Sequence, residues 1–147
     1  MKIKQISLFL ENRPGALSQP VKLLAQAGFN ILTLSIADAQ EFGILRLVVQ
    51  DWERAQKLLE KNKFVVKLTD MVAIEMEDRP GGLAKILDAA EKASLNVEYM
   101  YAFSVKCENK SVLLFRFSQP DKAIAALKKQ RINVLRCCDL AERFVQE

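Results

Sequence analysis

Ile6, Leu8 and Leu10 alternate along residues 4–10, and Val72, Ile74 and Met76 along 71–76. A period of two marks strands with one buried face. After each strand the period lengthens. Leu17, Val21 and Leu24 recur at helical spacing, and so do Leu83, Ile86, Leu87 and Ala90. Two more strands are predicted at 31–36 and 44–49, then a helix at 52–61 and a strand at 64–68. The same series is predicted again as strands at 97–103 and 112–117, a helix at 121–130 and a strand at 132–136. Strand, helix, strand, strand, helix, strand is the split βαβ plan. The expected fold is α+β: two ferredoxin-like βαββαβ modules with antiparallel sheets.

The modules are copies. Glu11-Asn12-Arg13-Pro14-Gly15-Ala16-Leu17 returns as Glu77-Asp78-Arg79-Pro80-Gly81-Gly82-Leu83, at an offset of 66. Gly28-Phe29-Asn30-Ile31 returns as Ser94-Leu95-Asn96-Val97 at the same offset. Ile44-Leu45-Arg46-Leu47 matches Val112-Leu113-Leu114-Phe115 at 68, so two residues are inserted in the second hairpin, around Cys107 to Lys110. The boundary falls between Thr69 and Asp70, giving modules 1–69 and 70–147. No Gly/Ser/Pro-rich linker stands there. A module of about 70 residues alone buries only ~60–65% of its unfolded surface, so close packing is expected.

The third strands are apolar at odd and even positions alike: Ile44-Leu45 then Leu47-Val48-Val49, and Val112-Leu113-Leu114-Phe115. Strands of that kind are covered on both faces. The expected cover is the sister module or a second chain, and a homodimer follows as an expectation.

Charge adds little. The net +4 is carried by residues 1–69, and the remainder is neutral. Lys57, Lys61, Lys63 and Lys67 are spread over a helix and its exit, the pattern of a solvated face rather than a nucleic-acid footprint. No apolar run approaches the ~20 residues that span a bilayer, and Met1-Lys2-Ile3-Lys4-Gln5 lacks a signal-peptide core. The three cysteines, Cys107, Cys137 and Cys138, are an odd number without a framework spacing and read as reduced thiols in a cytoplasm. One of the adjacent pair is expected to point inward.

The repeated Asn/Asp-Arg-Pro-Gly loop carries the candidate chemistry. Asn12 and Asp78 are expected as turn starters or N-caps. Proline loses nothing at a helix start, and glycine permits close backbone approach. The free amides of a first helical turn form a site for a carboxylate, and Asp78 or Asn12 could take an ammonium. An α-amino acid carries both charges one carbon apart. The same four residues also make an ordinary strand-to-helix turn that needs no ligand.

With that loop present twice on this topology, the chain resembles the ACT domain family over nearly its whole length, twice. The Asp/Asn-x-Pro-Gly-x-Leu pattern and the Gly28-Phe29-Asn30-Ile31 entry to the second strand carry the resemblance. Glu98-Tyr99-Met100-Tyr101-Ala102-Phe103 is similar to the small stand-alone tandem members of bacteria. The resemblance implies a regulatory module binding an amino acid or related effector, with paired sheets and ligands at the seam. By it, Asn12, Gly15, Ala16 and Leu17 form a first site, and Asp78, Arg79, Gly81, Gly82 and Leu83 a second. Tyr99 and Tyr101, expected on one face with Val97 and Phe103, would line the seam. One departure concerns Pro20, which cannot donate to the carbonyl of Ala16 and would distort the first helical turn. Gly82 in place of Ala16, and no proline behind it, favour the second site.

Catalysis is not expected. The chain has no histidine, the commonest general base, and no phosphate-loop or nucleophile-elbow motif. Glu75 and Glu77, alternating on a strand, read as a rim face. Cys137-Cys138 is not a metal spacing, and no metal or cofactor is implied. RNA-recognition motifs share the topology, but Ser111 to Phe117 lacks their glycine and stacking aromatics. The alternative to an effector-binding regulator is a partner-binding regulatory subunit of a separately encoded enzyme, with no ligand of its own.

Overall fold

The structure, a computed structural model, describes residues 1–103 and 109–144. The chain forms two compact units, one of Lys4–Thr69 and one of residues from Asp70 onward together with Met1–Ile3. No helix among the described residues is long and apolar enough to cross a membrane.

The first unit holds β1 (Lys2–Glu11, from Lys4), α1 (Ser18–Gln26), β2 (Ile31–Ala39), β3 (Phe42–Val49) and α2 (Trp52–Lys61). Its last strand is the opening of β4 (Val66–Glu77), a twelve-residue strand that continues through Asp70 without a turn. β3 lies antiparallel to both β1 and β2, with Ile6 opposite Leu47 and Leu34 opposite Leu47 from the other side. Both helices lie on one face. Leu24 of α1 and Ala55 and Leu59 of α2 pack with Ile6, Leu8, Leu10, Leu45 and Leu47 of the sheet. Asp51 caps α2 by accepting from the Arg54 amide at 3.2 Å. The Arg54 guanidinium in turn donates to the Ala27 carbonyl at the end of α1 and lies 4.8 Å from the Phe29 ring centroid.

The second unit repeats the plan with the rest of β4, α3 (Gly82–Lys92), β5 (Val97–Ala102), β6 (Lys110–Phe117), α4 (Pro120–Lys129) and β7 (Val134–Leu135). β6 pairs antiparallel with β4 and β5, and β7 pairs antiparallel with β4. Val72, Ile74, Leu113, Phe115 and Phe117 face Ile86, Ala90, Ala123 and Leu127 of the helices. The Phe115 and Phe117 rings stack at 5.5 Å. Lys2 belongs here, paired with Asp121 at 3.2 Å and Asp70 at 3.7 Å.

Three features depart from the sequence reading. A bulge between Val97 and Tyr99 changes the side of each following residue, so Val97 and Met100 both pack on the helix-side core. Tyr99 and Tyr101 therefore do not share a face with Val97. The last strand of the second unit is two residues rather than five, and a further helix, α5 (Cys137–Phe144), follows it. Asp139 stops the strand there by drawing the Arg136 amide to its carboxylate at 2.7 Å and pairing with the Arg136 guanidinium, an N3 side chain reaching back to its cap. The Arg136 hydrogen bonds lower the Asp139 pKa to about 2. Cys137 and Cys138 are both free and exposed, so neither points inward, because both stand in the first turn of this surface helix. Cys107 lies outside the described residues.

Val48, Val112 and Leu114, on the side of the third strands away from the helices, are buried.

Candidate functional site

Each strand-to-helix loop turns on one glycine. Gly15 has a φ of 86° and Gly81 of 87°, the left-handed region that costs other residues ~1–2 kcal/mol. A Cβ at either would meet nothing, so the requirement is conformational. Neither Asn12 nor Asp78 caps the helix that follows. The N-cap residues are Leu17 and Gly81, without a side-chain cap bond. The intervening glycine turn carries Asn12 and Asp78 back toward the hairpins. The Asn12 amide donates to the Glu41 carbonyl at 2.9 Å, and the Asp78 amide to the Asn109 carbonyl at 2.8 Å. Arg13 pairs with Glu11 at 2.6 Å, and Arg79 pairs with Glu77.

Beyond the shared turn the two loops diverge. α3 begins at Gly82, directly after its turn, whereas α1 begins only at Ser18. The cause is Pro20, which has no N–H for the Ala16 carbonyl. The Ser18 hydroxyl donates to the Gly15 carbonyl at 3.0 Å instead. Gly82 also differs from its expected role. A Cβ there would fall onto the carbonyl oxygen of Glu77, so the missing side chain makes way for the protein's own backbone and leaves no added room for a ligand.

A cavity of about 400 Å³ opens beside this second loop. The loop and α3 supply Arg79, Gly81, Gly82 and Lys85, above the Ile86 side chain. Across from them stand Glu75 and Glu77 of β4, Lys110 of β6, and Arg131, Ile132 and Asn133 before β7. Glu75 is not a rim residue. Its side chain is 6% exposed, with Lys110 Nζ at 3.2 Å and Asn133 Nδ2 at 3.0 Å. An ionised carboxylate is held inside only by partners of this kind.

Of the residues expected at the second site, Arg79, Gly81 and Gly82 line the cavity. Asp78 and Leu83 do not, and Leu83 packs against the helix-side core. Tyr99 and Tyr101 also lie outside the lining, both partly buried on β5. At the first site, Ala16 is buried in the core while Asn12, Gly15 and Leu17 are exposed. Lys85, Lys110, Arg131 and Asn133 were not legible from the loop motif. The signal lies in the repeat itself: at the offsets 66 and 68 they correspond to Gln19, Phe42, Lys63 and Val65, and Glu75 to Phe9. Where the copies share a residue type the fold is served, and where they part the surfaces differ. The backbones agree even there, since Lys63 and Arg131 have φ of 65° and 59°.

Comparison with known proteins decides the family. A family model described as an ACT domain pair matches residues 1–143. The chain is an ACT domain pair. In sequence the pair is 33% identical over 79 residues to the acetolactate synthase small subunit of Buchnera aphidicola (subsp. Baizongia pistaciae), covering 53% of this chain and 50% of that one. It is 32% identical over 69 residues to the acetolactate synthase isozyme 3 small subunit of Escherichia coli, covering 47% and 42%. The matches thus span about half the length, or less, of these curated relatives. Protein BT0572 from Bacteroides thetaiotaomicron superposes with a TM-score of 0.89 at 39% identity, over 95% of this chain and 96% of that one. The ligand-free regulatory subunit of aspartate kinase from Thermus thermophilus gives 0.64 at 17% identity, over 89% and 92%, a likeness of fold.

Proposed function

We propose that this ACT pair is a non-catalytic cytoplasmic regulator that binds an amino acid or similar small effector at the loop between β4 and α3. One observation carries the reading: a cavity of about 400 Å³, within the range of small-molecule pockets, opens at the loop that the family motif singles out. The effector's carboxylate lies toward the first turn of α3. The Leu83 and Ala84 amides there precede the first helical bond, made by Lys85 to Gly81 at 3.0 Å. Its ammonium lies toward Glu77, which lines the cavity and pairs with Arg79. The family and the relatives named as small or regulatory subunits support a regulatory role over an enzymatic one, with a separately encoded enzyme as its target.

A thermal-shift screen of the whole chain against the amino acids tests this. A ligand at 100 times its dissociation constant adds ~2.7 kcal/mol of stability. Calorimetry then compares variants: Glu77→Gln weakens binding by about 1–3 kcal/mol, and Asn12→Ala leaves it unchanged. Greater loss with Asp78→Ala than with Glu77→Gln would move the ammonium site to Asp78. If no amino acid shifts the melt, the effector reading fails.

A second reading is favoured by the first unit alone. Phe9 and Phe42, diagonal neighbours on the sheet face away from the helices, are each about half exposed, and neighbouring exposed apolar residues mark contact surfaces. On this reading the first unit docks a protein, a second copy of the chain or an enzyme subunit. Light scattering at micromolar concentration distinguishes a dimer from a monomer.

A further inference from the structure

The proposed site has a charge pattern that selects among effectors. Its walls carry four cations, Arg79, Lys85, Lys110 and Arg131, against two carboxylates, Glu75 and Glu77. Two of the cations are matched within the protein. Arg79 pairs with Glu77, and Lys110 reaches the buried Glu75 at 3.2 Å. Lys85 and Arg131 have no side-chain hydrogen bond or ion pair among the described residues. They come from different elements, Lys85 from α3 and Arg131 from the turn after α4. Arg131 is fixed in the left-handed region at φ 59°, with its amide bonded to the Lys128 carbonyl at 2.9 Å. Two unmatched positive charges therefore face one cavity from separate anchor points.

Resting on the effector reading above, we propose that this cavity takes a small ligand with two anionic groups, an acidic amino acid, in preference to a neutral or basic one. A neutral amino acid is a zwitterion of zero net charge. Its single carboxylate leaves one or both cations unmatched. An acidic amino acid supplies a carboxylate to the first turn of α3 and a second to Lys85 and Arg131, while its ammonium meets Glu77. Hydrogen bonds between ionised partners are roughly twice as strong as neutral ones, so the second carboxylate is where selectivity arises.

The first unit keeps Glu11, Arg13 and Lys63 where Glu77, Arg79 and Arg131 stand, but loses the rest of the wall. Phe9, Phe42 and Val65 stand where Glu75, Lys110 and Asn133 stand, and Gln19 replaces Lys85. Those three apolar side chains are 50%, 54% and 68% exposed, so no charged cavity wall forms from them. The acidic ligand should bind once per chain.

Isothermal titration of the full chain at low salt provides the test, with L-aspartate against L-asparagine and L-glutamate against L-glutamine. Succinate, L-lysine, L-valine and inorganic phosphate complete the set. The expected result is one site per chain and about tenfold or greater preference for the acidic member of a pair. Lys85→Gln, which copies the first unit, and Arg131→Asn, which keeps a residue tolerant of positive φ, should each remove most of that preference. Both positions are exposed, so melting temperatures should stay at the parent value. Equal or tighter binding of asparagine, glutamine, lysine or valine overturns the charge inference and leaves the effector reading standing. Succinate binding as tightly as aspartate keeps the dianion and removes the amino acid. Phosphate binding tighter than every carboxylate overturns the acidic amino acid. Binding by none of these probes overturns the inference, and a blank across all the amino acids overturns the effector reading as well.

Discussion

The two units share a backbone and differ in what they do with one patch of it. In each, a left-handed glycine ends the first strand, and the residue three before that glycine bonds its amide to a hairpin carbonyl. On that common frame, one copy places Phe9 and Phe42 in the open, and the other buries Glu75 under Lys110 and Asn133. The register explains why these positions move together. Phe9 opposes Ile44 and Glu11 opposes Phe42, so Phe9 and Phe42 are diagonal neighbours. Glu75 and Lys110 stand in the same relation, with Glu75 opposite Val112 and Glu77 opposite Lys110. Diagonal side chains of this length touch. In the second unit Glu75, 6% exposed, would be buried without a countercharge if Lys110 were lost.

The largest expected effect comes from forcing the second loop into the form of the first. Gly82→Ala should destabilise the second unit by about 3 kcal/mol, near the upper end for overpacking, because the obstacle is backbone. Ala16→Gly should cost the first unit about 1 kcal/mol. Urea unfolding with a probe in each unit reads both, and equal losses would mean the loops are interchangeable after all. Next in size is Lys110→Met, which strands most of the charge of Glu75. A loss of about 2 kcal/mol is expected, offset in part by the remaining Asn133 bond. Adding Glu75→Phe should recover much of it, and a double-mutant cycle that shows no coupling would separate the two residues.

Gly15→Ala and Gly81→Ala should each cost about 1–2 kcal/mol, and by similar amounts, since the two φ angles differ by one degree. Unequal losses would show that the turns are alike in shape but not in strain. The smallest effect belongs to α5, which the first unit does not have. Asp139 has a pKa depressed to about 2 by the Arg136 hydrogen bonds. Its contribution is present above the ordinary carboxylate range of ~4 and is lost as pH falls through about 2. Asp139→Asn should speed amide exchange in residues 136–140 and leave the first unit unchanged. A carboxyl titration by NMR with a midpoint near 4 would contradict the depressed value.

The fold was legible because its signals are redundant. Alternating strands, helical spacing and a repeated loop all point to one plan, and a second copy checks each. The short β7 and the α5 helix were missed because Arg136 and Asp139 act over three residues, where capping competes with a strand period. The β5 faces were misassigned because a bulge is invisible to a strict period of two. At the site, the motif located the loop but not the cavity wall. Lys85, Lys110 and the Arg131–Asn133 turn come from three separate places in the chain, and only the sheet register and the turn before β7 bring them beside Arg79. Comparing the copies where they disagree would have marked them.

The close approach of the Glu77 carbonyl to Gly82 has a historical consequence. Two tandem copies of one coding segment can in principle overwrite each other by recombination. Here a tract carrying Ala16 into position 82 would put a methyl group onto a backbone oxygen, whereas the tracts on either side carry no such obstacle in their glycine turns. A chain that received that tract would begin with a strained loop in its second unit.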